Sequence, residues 1–245
     1  GIGDITSEQP ERVTGGYDIK GTISPDLPIS GDIRDSLNIS DFEVVAGASN
    51  VPVEVKESDG ENSTYKRANL VSLEDDFFQS TQWRMSHLDP KYGATDEDIW
   101  RSLIGNPELA VASASIIPSG EPFGPPDRSF KTSYLEPGDL REMDSFSVEM
   151  KKRRSSSEPE NLIIIGVVEL LATGNGWEGI SATFYSARSL VPKIADEEVP
   201  LDTFYFSLKD KNIASNYSQK LESIFLANGM NAESLLDNLE EERAT

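Results

Sequence analysis

The apolar residues of this chain come in short runs, and none approaches the roughly 18–20 residues needed to cross a bilayer. The runs are rich in Val, Ile, Tyr and Phe, with Gly and Pro standing between them. β-Branched and aromatic side chains suit the pleated surface of a sheet, and Gly and Pro interrupt it. The pattern therefore predicts strands with a few short helices between them. The opening Gly1-Ile-Gly-Asp-Ile5 has neither the basic nor the apolar part of a signal peptide. As it stands, the chain is expected to be soluble.

Tyr17–Ser24 is the first strand candidate, alternating Tyr17, Ile19 and Gly21 with polar neighbours before Pro25 and Pro28 break it. A short helix over Ile33–Leu37 follows, then strands Phe42–Gly47 and Val51–Val55. Asp59-Gly60 tolerates positive φ at both central positions of a tight turn, so Tyr65–Leu73 is expected as the return strand. Thr95–Gly105 carries full helix punctuation. Thr95 caps it, Asp96, Glu97 and Asp98 complement the N-terminal dipole, and Gly105 supplies the left-handed stop. Ile99, Trp100 and Leu103 would be its buried face.

Leu109–Ile117 reads as a strand, and the four prolines of Pro118–Pro126 make that stretch a loop. β signals return at Ser145–Met150, Leu162–Leu170, Ser181–Tyr185 and Asp202–Leu208. Tyr217, Leu221, Ile224 and Phe225 have helical spacing, with Ser215 as cap and Gly229 as stop. Ala232–Glu242 is also expected to be helical. No internal repeat is evident.

The chain holds 43 Asp and Glu against 22 Lys and Arg, a net charge of −21. Such a field repels phosphate backbones and anionic lipid head groups, so nucleic acid is not a partner. Solvation accounts for the charge without any site. The absence of cysteine removes disulfides, thiol nucleophiles and thiolate metal sites together. A chain of this length buries roughly 70% of its unfolded surface and needs no such staple.

Gly174-Asn-Gly176-Trp-Glu-Gly179 matches the dinucleotide-binding pattern after an apolar strand, with Asp196 near the place of a ribose-binding acid. The helix that must follow is missing, because Ile180-Ser-Ala-Thr-Phe-Tyr-Ser186 has strand character and Glu178 would repel phosphate. A glycine-rich loop between strands is the better reading. His87 is the one histidine, which excludes multi-histidine metal centres. Asp89 stands near it, but no G-x-S-x-G elbow supplies a serine.

Ser63-Thr-Tyr-Lys66 fits S-x-x-K without the companion motifs of penicillin-recognising enzymes. Glu57-Ser-Asp59-Gly60 is like part of a calcium loop, but Val55 and Lys66 would fall at ligand positions. Lys151-Lys-Arg-Arg154 reads as the solvated tip of a long hairpin, with docking of an acidic partner as the rival reading. Asp75-Asp76 and Glu197-Glu198 are adjacent pairs, which on a strand face opposite ways and cannot converge. No catalytic residue, metal or cofactor is expected.

Four ordered segments resemble the extracytoplasmic domain of ABC-transporter permeases of the FtsX/MacB type. Ala68-Asn-Leu-Val-Ser-Leu-Glu-Asp-Asp-Phe-Phe78 is similar to a substrate-side strand and the segment after it. Thr95–Ile117 resembles the next helix and strand. Glu136-Pro-Gly-Asp139 through Phe146-Ser-Val-Glu149, with Asn161-Leu-Ile-Ile-Ile-Gly-Val-Val168, resembles the core hairpin. Thr203-Phe-Tyr-Phe-Ser-Leu-Lys209 and Ala214–Gly229 resemble the closing strand and amphipathic helix. The Pro118–Pro126 loop and the basic Lys151–Arg154 stretch have no counterpart.

The resemblance implies two subdomains. Residues 1–70 and 200–245 would form a discontinuous, membrane-proximal α+β part, and residues 71–199 a mostly β insertion. Both chain ends would lie on one side. The domain would do no chemistry. It would couple ATP-driven motion of its own transmembrane helices to substrate export or release, or to an extracytoplasmic partner. No G-x-x-x-x-G-K-[ST] loop occurs, so the ATPase would be a separate subunit. Protein, lipid or peptide cargo are all compatible, and contact residues stay unassigned. The rival classes are a free-standing extracellular binding or adhesion module, with Phe123 and Trp177 as anchors, and a hydrolase.

Overall fold

In the computed structural model, residues 10–59, 64–119, 128–169 and 181–244 are described. In chain order, α1 (Pro10–Thr14) leads to β1 (Ile19–Thr22) and β2 (Phe42–Glu57), then β3 (Lys66–Leu73), α2 (Asp75–Ser80) and β4 (Met85–Leu88). Next come α3 (Asp96–Ser102), β5 (Leu109–Ser113), β6 (Phe146–Lys152), β7 (Glu160–Val168) and β8 (Thr183–Ala187). The chain closes with α4 (Val191–Ile194), β9 (Thr203–Leu208), α5 (Ala214–Ile224), β10 (Asn231–Ser234) and α6 (Leu235–Ala244). The fold is α+β, as the resemblance implies.

Two compact units result: Gly1–Ser49 with Leu73–Trp83 and Pro200–Thr245, and Asn50–Ser72 with Arg84–Val199. The sequence reading placed the divide at residue 70. In the structure Asn50–Ser72 packs with the second unit and Leu73–Trp83 with the first.

In the first unit four strands pair in the order β10-β1-β9-β2, all antiparallel. All six residues of β9 are buried, because both of its faces are covered. Phe204, Phe206 and Leu208 point to one side, joining Ile19, Phe42, the α5 residues Tyr217 and Leu221, and Phe225 just after that helix. Tyr205 points to the other side, 5.3 Å from the ring of Tyr17 and 5.2 Å from that of Phe77. Alternation at a period of two makes this double use of one strand possible. Gly15 and Gly16 turn the chain before β1 at φ of 73° and 88°, and a Cβ on Gly15 would lie 2.9 Å from Trp83 Nε1. Only glycine fits there.

In the second unit, β2, β3, β8, β5 and β7 follow one another, and β6 pairs with both β7 and β2. The ring of six strands is therefore closed. Closure removes exposed strand edges, and small barrels fill their interiors with side chains. Val53, Val55, Leu70, Ile164, Val148 and Phe184 do this here, all fully buried. β4 extends the ring by pairing with the far end of β7.

α3 has the predicted cap: Thr95 Oγ1 accepts from Asp98 N–H at 3.2 Å, and Gly105 lies at φ 74°. Ile99, Trp100 and Leu103 are buried as expected. A Cβ on Gly166 would lie 3.0 Å from Ile99 Cγ2. The glycine within the Ile-Gly-Val-Val run thus lets α3 sit close on β7.

Four local expectations are corrected. Phe42–Gly47 and Val51–Val55 are one continuous strand, in which Pro52 is exposed and its carbonyl accepts from Arg153 N–H at 3.1 Å. β5 stops at Ser113, where the chain turns into 3-10 geometry and Ser113 Oγ meets Ser115 Oγ at 2.5 Å. Ser215 is inside α5, bonded to Asp237, and Asp210 caps the 3-10 turn before that helix. The start of the expected last helix is β10, which is held as a strand by antiparallel pairing with β1.

Candidate functional site

Among the described residues, the sequence motifs do not assemble into a catalytic centre. On β4, His87 Nδ1 lies 2.9 Å from Ser86 Oγ, and that hydroxyl donates to the Val167 carbonyl at 3.2 Å. Asp89 does not reach the imidazole. Its carboxylate accepts from Lys91 N–H at 3.0 Å and Ser145 N–H at 2.9 Å, tying the turn after β4 to the start of β6. Burial opposes the charge of Asp89, and these N–H donors outweigh it, holding the carboxyl below its ordinary pKa.

Glu57 is buried and occupied by Thr132 Oγ1 at 2.9 Å, Ser133 N–H at 2.6 Å and Ser133 Oγ at 2.5 Å, so it is not a free cation ligand. Among the described residues, no group of three or more His, Asp and Glu is placed to hold a metal. Asp75 and Asp76 lie in the first turn of α2 rather than on a strand. Gly174–Gly179, Trp177, Phe123, Gly60, Ser63 and most of Pro118–Pro126 lie outside the described residues.

The basic stretch runs from the end of β6 into the connection to β7, and three of its four side chains have partners. Lys151 Nζ is 4.4 Å from the Tyr65 ring centroid and 4.0 Å from Glu54, and Lys152 Nζ is 3.2 Å from Glu197. Arg153 donates to the Ala68 carbonyl at 3.3 Å. Arg154 is exposed, at φ 63°.

Two features of the described residues can act on something outside the domain. The first is the pair of chain ends. α1 packs against α6, and Leu235 N–H, opening α6, donates at 2.9 Å to the carbonyl of Asp18, just before β1. β1 and β10 are antiparallel neighbours with Ile19 opposite Ser234. The chain therefore enters and leaves the first unit at the same edge.

The second is a cleft of about 700 Å³ in the second unit. Tyr134, Leu135, Met143 and Phe146 form its apolar part, and Asp59, Asp139, Glu142 and Asp144 its charged part. The Tyr134 ring stacks on Phe146 with centroids 5.0 Å apart. Burial, and then the carboxylates of Glu57 and Asp59, push the Tyr134 hydroxyl above its ordinary pKa. Sequence reasoning missed this cleft, because it joins residues far apart in the chain through closure of the barrel.

No family model and no curated protein sequence matches the chain. Among solved structures, it is similar to the periplasmic region of MacB from Actinobacillus actinomycetemcomitans, at TM-score 0.50 and 12% identity over 97% of each chain. The extracellular domain of the noncanonic ABC-type transporter YknZ from Gram-positive bacteria matches at TM-score 0.47 and 10% identity, over 89% of this chain and 98% of that one. A permease domain from Porphyromonas gingivalis matches at TM-score 0.44 and 11% identity, over 91% and 89%. The chain has the fold of the MacB periplasmic region.

Proposed function

We propose that this chain is the non-catalytic extracytoplasmic domain of an FtsX/MacB-type ABC-transporter permease, held between two transmembrane helices. The observation that carries this reading is the shared edge of entry and exit. A domain strung between two membrane helices has both attachment points on one side, and α1 against α6 meets that requirement. The fold shared with the MacB periplasmic region supports the same reading. Among the described residues, no helix is long and apolar enough to cross a membrane.

In this reading the unit holding both ends is the membrane-proximal part. Motion of the membrane helices, driven by a separate ATPase subunit, reaches the domain through α1 and α6. A closely packed body transmits such a displacement instead of absorbing it. The domain then passes it to cargo or to an extracytoplasmic protein.

Cysteine labelling tests the reading, because the chain contains none. Ser156→Cys, at an exposed position between β6 and β7, is introduced into the full-length gene product in its native host. A membrane-impermeant maleimide is expected to label it in intact cells. Labelling only after the inner membrane is permeabilised would overturn the proposal.

A further inference from the structure

The cleft of the second unit has a construction that the coupling role does not require. Pro137 and Gly138 make a tight turn, with Gly138 at φ 89°, Asp139 N–H donating to the Glu136 carbonyl at 3.2 Å, and Glu136 N–H to Asp139 Oδ2 at 2.8 Å. Proline at the second and glycine at the third position are the requirements of a type II turn. This turn projects Leu140, whose side chain is 85% exposed. With the partly exposed Tyr134 ring in the same lining, Leu140 makes an apolar patch at the cleft.

The chemistry of a partner follows from the lining, which among the described residues holds four carboxylates and no cation. The nearest arginine in sequence, Arg141, is directed to Asp96 and the Met85 carbonyl. A concave surface with one sign of charge focuses its field on incoming ligands of the other sign. The half-exposed Tyr134 ring adds an electron-rich face suited to ammonium or guanidinium groups.

The geometry points to a docking site for an extended, basic segment of a partner protein, with an apolar side chain over Leu140 and Tyr134 and flanking Lys or Arg at Asp59, Glu142 and Asp144. The inference does not rest on the membrane reading.

Calorimetry on the intact chain tests it with acetylated Lys-Leu-Lys-Leu-Lys, against Lys-Ser-Lys-Ser-Lys and Glu-Leu-Glu-Leu-Glu. The Lys-Leu peptide is expected to bind and the Glu-Leu peptide not to. Neutralising the cleft by Asp59→Asn, Glu142→Gln and Asp144→Asn together should weaken binding about tenfold or more. An equal neutralisation of exposed carboxylates in the first unit, Asp26→Asn, Asp35→Asn and Glu43→Gln, should change it less than about twofold. Leu140→Ser should weaken the Lys-Leu peptide and leave the Lys-Ser peptide unchanged. All these positions are exposed, and matching circular dichroism spectra establish that the variants fold. Equal weakening by the two triple variants, or no binding of the Lys-Leu peptide, overturns the inference. Neither result affects the labelling outcome above.

Discussion

Tyr17 stacks on Phe77 with ring centroids 5.4 Å apart and planes 20° from parallel. Its hydroxyl also reaches the Phe77 carbonyl at 3.3 Å and Ser80 Oγ at 2.8 Å. One side chain therefore ties α2 to the segment that leads into β1, within the first unit.

Tyr17→Phe keeps the stack and loses the hydroxyl bonds, so it is expected to cost about 1 kcal/mol. Tyr17→Ala also empties the site and should cost about 3–5 kcal/mol, the range of buried aromatic truncations. Urea unfolding measures both. Burial raises the Tyr17 hydroxyl above its ordinary value of 10.0. It does the same for Tyr217, whose hydroxyl also donates to Asp41 Oδ2 at 2.7 Å. Above pH 10 the unfolded chain releases these protons while the folded chain keeps them. The stability they contribute is thus full below 10 and falls as pH rises beyond it. The alkaline decline should be shallower in Tyr17→Phe and in Tyr217→Phe than in the parent chain. An unchanged slope in both would show that neither tyrosine titrates abnormally.

At the start of α3, Thr95 Oγ1 satisfies one of the N–H groups that the first turn leaves without a partner. Thr95→Ala is expected to cost about 1 kcal/mol, and Thr95→Ser, which keeps the oxygen, only a fraction of that. If the two variants have equal urea midpoints, the cap contributes nothing measurable.

α3 was legible because every signal in it is local: a capping oxygen, three acids, an apolar face and a glycine stop. β10 was not. Asn231-Ala-Glu-Ser234 has no strand propensity, and its backbone becomes a strand because β1 offers an unpaired edge. Polar Ser49 and Asn50 looked like a break in β2, yet Ser49 is buried, with its hydroxyl donating to the Pro200 carbonyl at 2.8 Å. A partner 151 residues away leaves no trace in local pattern. The cleft was hidden for the same reason. Its apolar turn was visible as Glu136-Pro-Gly-Asp139, but the carboxylate of Asp59 arrives only through the pairing of β2 with β6.

Asp89 holds two segments of the second unit together, so Asp89→Ala should cost roughly 1–3 kcal/mol through the N–H groups of Lys91 and Ser145 that it strands. The carboxyl sits below its ordinary value of 3.8 when folded. Its stabilisation is therefore present above that value and is lost as pH falls through and below it. Acid titration of the urea midpoint should be shallower in Asp89→Asn than in the parent chain. A parallel acid limb would mean that other carboxylates set the acid sensitivity.

Glu74 and Arg34 offer the sharpest test of a network within the first unit. Glu74 Oε1 accepts from Gly47 N–H at 2.7 Å and from Arg34 Nη2 at 3.1 Å, and that nitrogen also donates to the Val45 carbonyl. The arrangement anchors the segment leading into α2 to β2. Glu74→Ala leaves the Gly47 N–H without its acceptor and should cost about 1–3 kcal/mol. Glu74→Gln keeps an acceptor oxygen for Gly47 while weakening the bond to Arg34, so its cost should be smaller. If the three groups act as a unit, Arg34→Ala adds little once Glu74 is gone, and the double-mutant cycle gives a coupling of about 0.5–3 kcal/mol. Both side chains are only partly buried, with 25% and 26% of their surface accessible, so solvent screens the pair. A coupling that vanishes would show that the bond to Gly47, and not the ion pair, fixes this segment.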